Sequence, residues 1–319
     1  MRIHNSILEA VGATPLIALD RIRSKDGARL LLKMELLNPG ASMKDRIALQ
    51  IIEDAENSGL LKPGGDVVEL TSGNTGIGLA MACAVMGYRM TAVMSEGNSV
   101  ERRSILSALG ARVELVAQAG RSAPGLVSKE DMELVEERTQ ELVRELAAFR
   151  PDQFNNESNP RAHELGTGRE IWEQTGGQVD AFAAAVGTGG TFVGVSRALK
   201  SRNPRVKCYA VEPAGAPYLA GREVTNTRHQ IQGAGYAMMP GFWDESLADG
   251  YLAVSDEEAA EAARRLARQE GVLAGYSTGA NLAAAERIAR SMPSSAVVVT
   301  AACDSGMRYL SGELYRFSG

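Results

Sequence analysis

The sequence predicts an α/β protein of two lobes, each a three-layer arrangement of mostly parallel strands covered by helices. Three observations carry this. Short, near-continuous apolar runs alternate with amphipathic stretches, which is how parallel strands buried on both faces read. Turns rich in glycine and hydroxyl residues stand between several of these runs and the helices that follow. Two such strand–helix sets are separated by a charged helix and the break Arg150-Pro151-Asp152. The smaller lobe is expected over residues 41–150, and the larger over 1–40 plus 151–319. Ligands of such sheets bind beyond the carboxyl ends of the strands, so a site is expected in the cleft between the lobes.

Taken in order, residues 28–33 (ARLLLK) read as a strand, followed by a helix over KDRIALQIIEDAENSG. Ile47, Ile51, Ile52 and Ala55 give that helix an apolar stripe at 3.6-residue spacing, with Ser42 as its N-cap and Gly59 as its stop. Strands are expected at 67–71, 90–94 and 112–116, with a buried helix after the first and VERRSILSALG as a helix after the second. Ser128 and Asp131 form a capping box for a charged helix over about 129–148. A further helical stretch covers about 160–175. Strands at 180–186, 206–211 and 296–302 complete the second set. Between the last two lie a helix boxed by Ser255 and Glu258 and stopped by Gly271, then a turn and helix in VLAGYSTGANLAAAERIA.

The bulk properties exclude several classes. At 319 residues, with 45% apolar and 23% charged content, the chain has room for two lobes and reads as globular. A net charge of -5 with no Lys/Arg block argues against a nucleic-acid groove or an anionic membrane surface. The N-terminus lacks the pattern of a signal peptide, and no apolar window is long enough to span a membrane. Cys83, Cys208 and Cys303 are far apart without metal-ligand spacing, and only His4, His163 and His229 are available besides. A reducing, cytoplasmic setting is expected, with no metal site and no disulfide framework.

Chemistry concentrates in four turns. In NPGASMKDR, Lys44 falls in the first turn of a helix, where the helix dipole disfavours a cation. That placement suits a lysine that must at some moment be neutral, as a Schiff-base or general-base lysine must. Alone, a first-turn lysine is more often a surface charge. TSGNTG (Thr71–Gly76) offers hydroxyls, an amide and backbone N–H groups at a helix N-terminus, which suits a carboxylate or a phenolic oxygen. GTGGT (Gly187–Thr191) follows a strand and opens a helix, a phosphate cradle without a Walker lysine; alone it could equally be a tight turn. In GYSTGA (Gly275–Ala280), Ser277 alone would read as a cap. A reactive lysine, a phosphate cup, a polar turn and a hydroxyl together are what pyridoxal phosphate requires of a protein.

With these residues in view, the chain resembles the cysteine synthase (O-acetylserine sulfhydrylase) and cystathionine β-synthase family of fold-type II pyridoxal-phosphate enzymes, whose fold is like that of the tryptophan synthase β subunit. The resemblance runs through GATPLI, NPGASMKDR, TSGNTGIGLA, SVERR, QFNNESNPRAH, GTGREIW, GTGGT, IQGAGYAMMP, EGVLAGYSTGA and DSGMRYLS. It implies that Lys44 is the Schiff-base lysine and the base for the substrate's α-proton. It implies that Asn74 meets the cofactor's ring oxygen, that Gly187, Thr188, Gly189, Gly190 and Thr191 hold its phosphate, and that Ser277 faces the pyridine nitrogen. Thr71, Ser72, Gly73 and Thr75 would clamp the substrate carboxylate, with Gln153 and Gly235 as further substrate contacts. No metal is implied.

A hydroxyl does not hold a ring nitrogen protonated as a carboxylate would. Expelling a β-leaving group as the α-proton departs is therefore favoured over reactions that need a long-lived carbanion. The implied activity is β-replacement on an O-acetylserine-like donor through an aminoacrylate, with sulfide adding to give L-cysteine. Other β-replacements or β-eliminations are the rivals: O-phosphoserine sulfhydrylase, cystathionine β-synthase-type, cysteine desulfhydrase or serine/threonine dehydratase activity. Outside that class stand a non-catalytic binding protein and an NAD-binding Rossmann protein, the latter using GTGGT with Glu212 as ribose ligand. A homodimer is implied, with sulfide or another thiol as nucleophile and a serine acetyltransferase as a further partner. Three departures bear on substrate choice: GAGYAM after Gln232, where many relatives carry GIGAGF; a longer 118–152 segment; and AACDSG at the end of the late strand.

Overall fold

The structure, a computed structural model, describes residues 3–24, 26–120 and 127–316. Residues 121–126, which hold part of the longer segment noted above, lie outside the described residues. The chain forms two compact units. The first comprises Met1–Val11 and Lys44–Ser158, the second Gly12–Met43 and Asn159–Gly319. The crossings thus fall at 43/44 and 158/159, against the expected 40/41 and 150/151. The first eleven residues group with the smaller unit rather than the larger.

The second unit opens the strand count with β1 (Leu16–Ala18) and β2 (Arg29–Lys33). In the first unit, α1 (Lys44–Asn57) precedes β3 (Asp66–Leu70), α2 (Asn74–Met86), β4 (Arg89–Ser95), α3 (Val100–Ala108), β5 (Arg112–Val116) and α4 (Lys129–Leu146). Its parallel sheet has the order β3-β4-β5. Alternation along β3 builds the layers, because successive side chains point to opposite faces. Val67 packs with Ala48 and Ile52 of α1 and Leu79 of α2, whereas Val68 packs with Val135 and Leu142 of α4. The Ser128–Asp131 capping box at α4 is present. Helix α1 starts at Lys44, so the cap position falls one residue after the expected Ser42, which instead bridges to Asp304 in the second unit's own fold.

The second unit continues with a helical stretch in three parts: α5 (Ser158–Ala162), a π-helical segment His163–Gly168, and α6 (Arg169–Gln174). Then come β6 (Ala181–Ala185), α7 (Gly190–Lys200), β7 (Lys207–Pro213), β8 (Gly250–Val254), α8 (Asp256–Glu270), α9 (Tyr276–Ser291) and β9 (Val297–Ala301). The six-stranded sheet has the order β1-β2-β9-β6-β7-β8, parallel except for the antiparallel pair β1–β2. Again the strands alternate. Leu30, Leu32, Ala183 and Val298 pack with Leu266 of α8 and Leu282, Ala285 and Ile288 of α9. Leu31, Phe182, Ala184 and Val299 face Ile171 of α6 and Phe192 and Val195 of α7. Helices α8 and α9 approach so closely that a Cβ on Gly279 would lie 1.9 Å from the carbonyl oxygen of Ala259. Strands β1 and β8 are not among the expected strands. Both are edge strands, three and five residues long, and neither carries enough apolar periodicity to stand out. No helix among the described residues is long and apolar enough to cross a membrane.

Candidate active site

In the first unit, the strand-to-helix turn after β3 carries the carboxylate candidates. The Thr71 hydroxyl accepts the Gly76 N–H at 2.9 Å, fixing the turn's curvature as α2 begins. Gly76 must be a glycine, since a Cβ there would sit 2.8 Å from Thr71 Cγ2. The Thr75 hydroxyl donates to Gln153 Oε1 at 2.6 Å, so two residues separated by 78 positions in the chain meet. Ser72 Oγ accepts from Arg102 Nη1 of α3 at 3.3 Å. Gly73 is the N-cap residue of α2 and Asn74 is its first residue, half-buried. Lys44 is likewise the first residue of its helix and half-buried, followed by the buried Asp45 and Arg46.

Behind this turn lies a group that local reading passed over. Glu69 interrupts the apolar run of β3 and is buried. Its Oε2 accepts the Asp152 N–H at 2.8 Å. Burial pushes its carboxyl up to about 8, a rise that Arg150 and the Asp152 N–H oppose. The folded protein therefore keeps this proton longer than the unfolded chain does, and the stability it contributes is lost as pH rises from the ordinary carboxylate range through about 8. The signal in the sequence was a lone carboxylate inside an apolar strand.

In the second unit, the cup sits between β6 and α7. Gly189 has φ +86°, a left-handed conformation that glycine adopts without the Cβ penalty. Gly190 and Thr191 already belong to α7, so their N–H groups lie at the orphan-donor end of an eleven-residue helix. Asn159 Nδ2 donates to the Thr188 hydroxyl at 3.0 Å. The Thr191 hydroxyl pairs with His163 Nε2 at 3.1 Å, and His163 Nδ1 with Thr167 at 2.9 Å. Thr191 Oγ1 also lies 3.4 Å from Met43 Sδ, one residue before the lysine. Asn159, His163 and Thr167 are all buried. They stand at i, i+4 and i+8, a polar stripe on one helical face that could have been read from the sequence.

Gly235, at φ +65°, donates its N–H to Val186 and accepts His229 Nε2 at 3.2 Å. A Cβ on Gly187 would lie 1.9 Å from the Gly233 oxygen, so the 231–240 loop is packed directly on the cup. Ser277 is buried in the first turn of α9. Asn281 secures that turn: its Oδ1 accepts from Ala185 N–H at 2.6 Å and its Nδ2 donates to Ala301 at 2.8 Å. The Thr278 hydroxyl accepts the Cys303 N–H at 2.9 Å. Asp304 is buried nearby, where it accepts from the Tyr309 hydroxyl at 2.8 Å and packs against Gly275. This carboxylate beside the Ser277 turn is not among the expected site residues. Glu212, the ribose ligand of the Rossmann alternative, is spent on its own loop, accepting the Leu219 and Ala220 N–H groups.

The cup's donors are two hydroxyls and the N–H groups that open α7, a set with the chemistry a phosphate needs. Among the described residues no cluster could hold a metal ion. Each unit thus carries part of what pyridoxal phosphate requires of a protein: the first a lysine at the head of α1, the second a phosphate-type cup at the head of α7. The family model described as pyridoxal-phosphate dependent enzyme matches residues 7–304, and the chain belongs to that family. Within it, the cysteine synthase of Staphylococcus aureus is 42% identical over 315 residues, 98% of this chain and 97% of that protein. Among solved structures, O-ureido-L-serine synthase superposes with a TM-score of 0.91 at 39% identity, covering 100% of this chain and 98% of that one. O-acetylserine sulfhydrylase isoform 3 from Entamoeba histolytica does so with a TM-score of 0.90 at 36% identity, covering 100% and 94%.

Proposed function

We propose that this protein is a cysteine synthase, replacing the β-acetoxy group of O-acetyl-L-serine with sulfide to give L-cysteine and acetate. The observation that carries the reading is the near-full-length similarity to a cysteine synthase, 42% identical over 98% of this chain. Bound pyridoxal phosphate supplies an aldehyde that takes up the substrate's amine and a ring that withdraws electrons from the α-carbon. Lys44 would be the residue that holds that aldehyde. Its free amine would be the base that takes the substrate's α-proton and would return a proton to the same carbon when sulfide adds. The C–O bond to acetate breaks and the C–S bond forms at the β-carbon. The Gly187–Thr191 cup would hold the phosphate and Asn74 the ring oxygen, and Ser277 would face the pyridine nitrogen with a hydroxyl rather than a carboxylate. Thr71, Ser72, Gly73, Thr75 and Gln153 grip the substrate carboxylate, and Gly235 lines the space beside the reacting carbon. The working unit is a homodimer in the cytoplasm, with a serine acetyltransferase as supplier and partner.

A second reading, in which the nucleophile is larger than sulfide, is favoured by one observation. Tyr236, Met238 and Met239 on the loop packed against the cup are 51%, 44% and 50% exposed, leaving apolar surface for an organic thiol. One panel separates the two. O-acetylserine, O-phosphoserine, serine and cysteine are each assayed with sulfide, thiosulfate, homocysteine or no nucleophile. Cysteine and acetate from O-acetylserine plus sulfide are expected, and no cysteine from any donor refutes the proposal. Independently, borohydride reduction followed by peptide mass spectrometry should find the cofactor on Lys44. An adduct on another lysine overturns the assignment.

A further inference from the structure

Strand β3 ends in Val67-Val68-Glu69-Leu70, an apolar strand with one carboxylate. That side chain is 3% exposed and reaches across to the chain that returns after α4, where its Oε2 accepts the Asp152 N–H at 2.8 Å. Asp152 is held at φ +46°, a left-handed conformation that a non-glycine residue keeps only where its surroundings impose it. The imposition is visible. Asn155 and Asn156 donate their N–H groups to the Asp152 carbonyl at 3.1 and 3.0 Å, and Glu69 fixes the N–H side. The next residue is Gln153, whose Oε1 receives the Thr75 hydroxyl at 2.6 Å. A closed circuit therefore runs from β3 through Asp152 and Gln153 to Thr75, on the turn that β3 itself leads into.

We propose that Glu69 is a positioning residue for the substrate carboxylate, setting Gln153 against the Thr71–Thr75 turn by holding the Asp152 backbone. The proposal rests on the reading of that turn as the carboxylate grip. It adds that the grip is built on a buried acid that never touches substrate.

The acid's protonation gives the device a distinct signature. Glu69 faces Arg150 and Asp152 in the returning chain and Glu136 on α4, with Ala92 opposite it across the β3–β4 ladder. Arg150 is itself committed to Glu136 through two bonds of 2.7 and 2.6 Å. Burial and the two neighbouring carboxylates keep Glu69 protonated up to about 8, where it holds Asp152 as a neutral acceptor. Above that, a charge appears in a buried position: the Asp152 N–H favours it, but desolvation and repulsion from the Asp152 and Glu136 carboxylates outweigh that bond, so the side chain is drawn toward water and the hold on Gln153 loosens.

The test uses the cofactor-loaded enzyme and two readouts. One is KM and kcat for O-acetyl-L-serine. The other is the Kd for L-alanine, an amino acid without a β-leaving group, read from the cofactor's absorbance. Glu69→Leu removes the acceptor and should raise KM and the L-alanine Kd about tenfold, with kcat held within about threefold and cofactor affinity unchanged. Glu69→Gln keeps an acceptor that cannot ionise, so at pH 7 its KM should stay within about twofold of wild type. The ratio of wild-type to Glu69→Gln KM should then climb beyond about threefold between pH 7 and pH 9.5, the substrate's own titration cancelling in the ratio. Thr75→Ala and Gln153→Ala separate the two levels of the argument. If both bind L-alanine as wild type does, the reading of the turn itself falls. If they weaken binding while Glu69→Leu does not, only the positioning role falls. A Glu69→Leu protein that loses kcat, cofactor affinity and thermal stability together also overturns the role. Should Glu69→Leu fail to fold, a flat pH ratio for Glu69→Gln overturns it instead.

Discussion

Replacing Gly190 with alanine tests whether the turn before α7 is a ligand cup or only a tight connection. A Cβ at Gly190 would fall 1.8 Å from Asn159 Oδ1 and 2.5 Å from Asn159 Cγ, where contact requires roughly 3.5 Å. Asn159 is short and 1% exposed, so its amide cannot simply swing into solvent. It must leave the Thr188 hydroxyl, breaking the 3.0 Å bond that orients a donor of the cup. Stranding a buried polar group costs about 1–3 kcal/mol. If that loss falls on the loaded state, the Kd for pyridoxal phosphate rises about 5- to 150-fold. The assay is fluorescence titration of the apoprotein with pyridoxal phosphate. Leu142→Ala serves as a control: a 2% exposed core residue of α4, it should cost about 2–5 kcal/mol of stability and leave the Kd alone. Because Gly190→Ala acts through Asn159, the double variant Gly190→Ala/Asn159→Ala should bind no worse than Asn159→Ala. A wild-type Kd in Gly190→Ala, or additive losses in the double variant, refutes the reasoning.

Two further outcomes follow from the second unit and the thiols. Ser277→Ala should retain more cysteine synthesis than Ser277→Asp, because a carboxylate would favour a protonated ring nitrogen; a steady-state comparison giving the reverse order refutes the neutral-pyridine argument. Burial pushes the Cys83 thiol up to about 12 and that of Cys208 up to about 11, and Cys303 is buried too. At pH 8 Ellman's reagent should leave Cys83 and Cys208 untouched in the folded protein and titrate them in denaturant, so labelling of either within minutes would contradict the packing.

The elements legible in the sequence were those that announce themselves locally. The capping boxes at Ser128 and Ser255 and the αL stop at Gly271 need only four or five neighbouring residues, and all three are found. So is the α/β alternation, since a strand buried on both faces is continuous in hydrophobicity whatever packs on it. The edge strands β1 and β8 were not legible, because they become strands only by pairing with β2 and β7. The same division runs through the candidate site. Thr71, Gly189 and Ser277 lie in turns whose composition is odd in itself. Asn159 and Glu69 are ordinary residues whose importance comes from Thr188 and Asp152, partners 29 and 83 positions away. Local strangeness points to the residues proposed to face a ligand, whereas the residues that hold them in place are found only once the chain is folded.

One physical rule nevertheless ties the candidate residues together. Lys44 opens α1, Asn74 opens α2, Gly190 and Thr191 open α7, and Ser277 lies in the first turn of α9. A helix N-terminus presents unpaired N–H donors and the positive end of the dipole, which suits a phosphate, a ring oxygen and a carboxylate alike. For Lys44 the same end works in the opposite sense. There the dipole disfavours a cation, which suits the proposed role of an amine that binds an aldehyde and accepts a proton. A helix that began one turn earlier would move Lys44 into its interior, where this bias has largely faded. The start of α1 at Lys44, one residue later than a cap at Ser42 would set it, places the lysine where the bias is strongest.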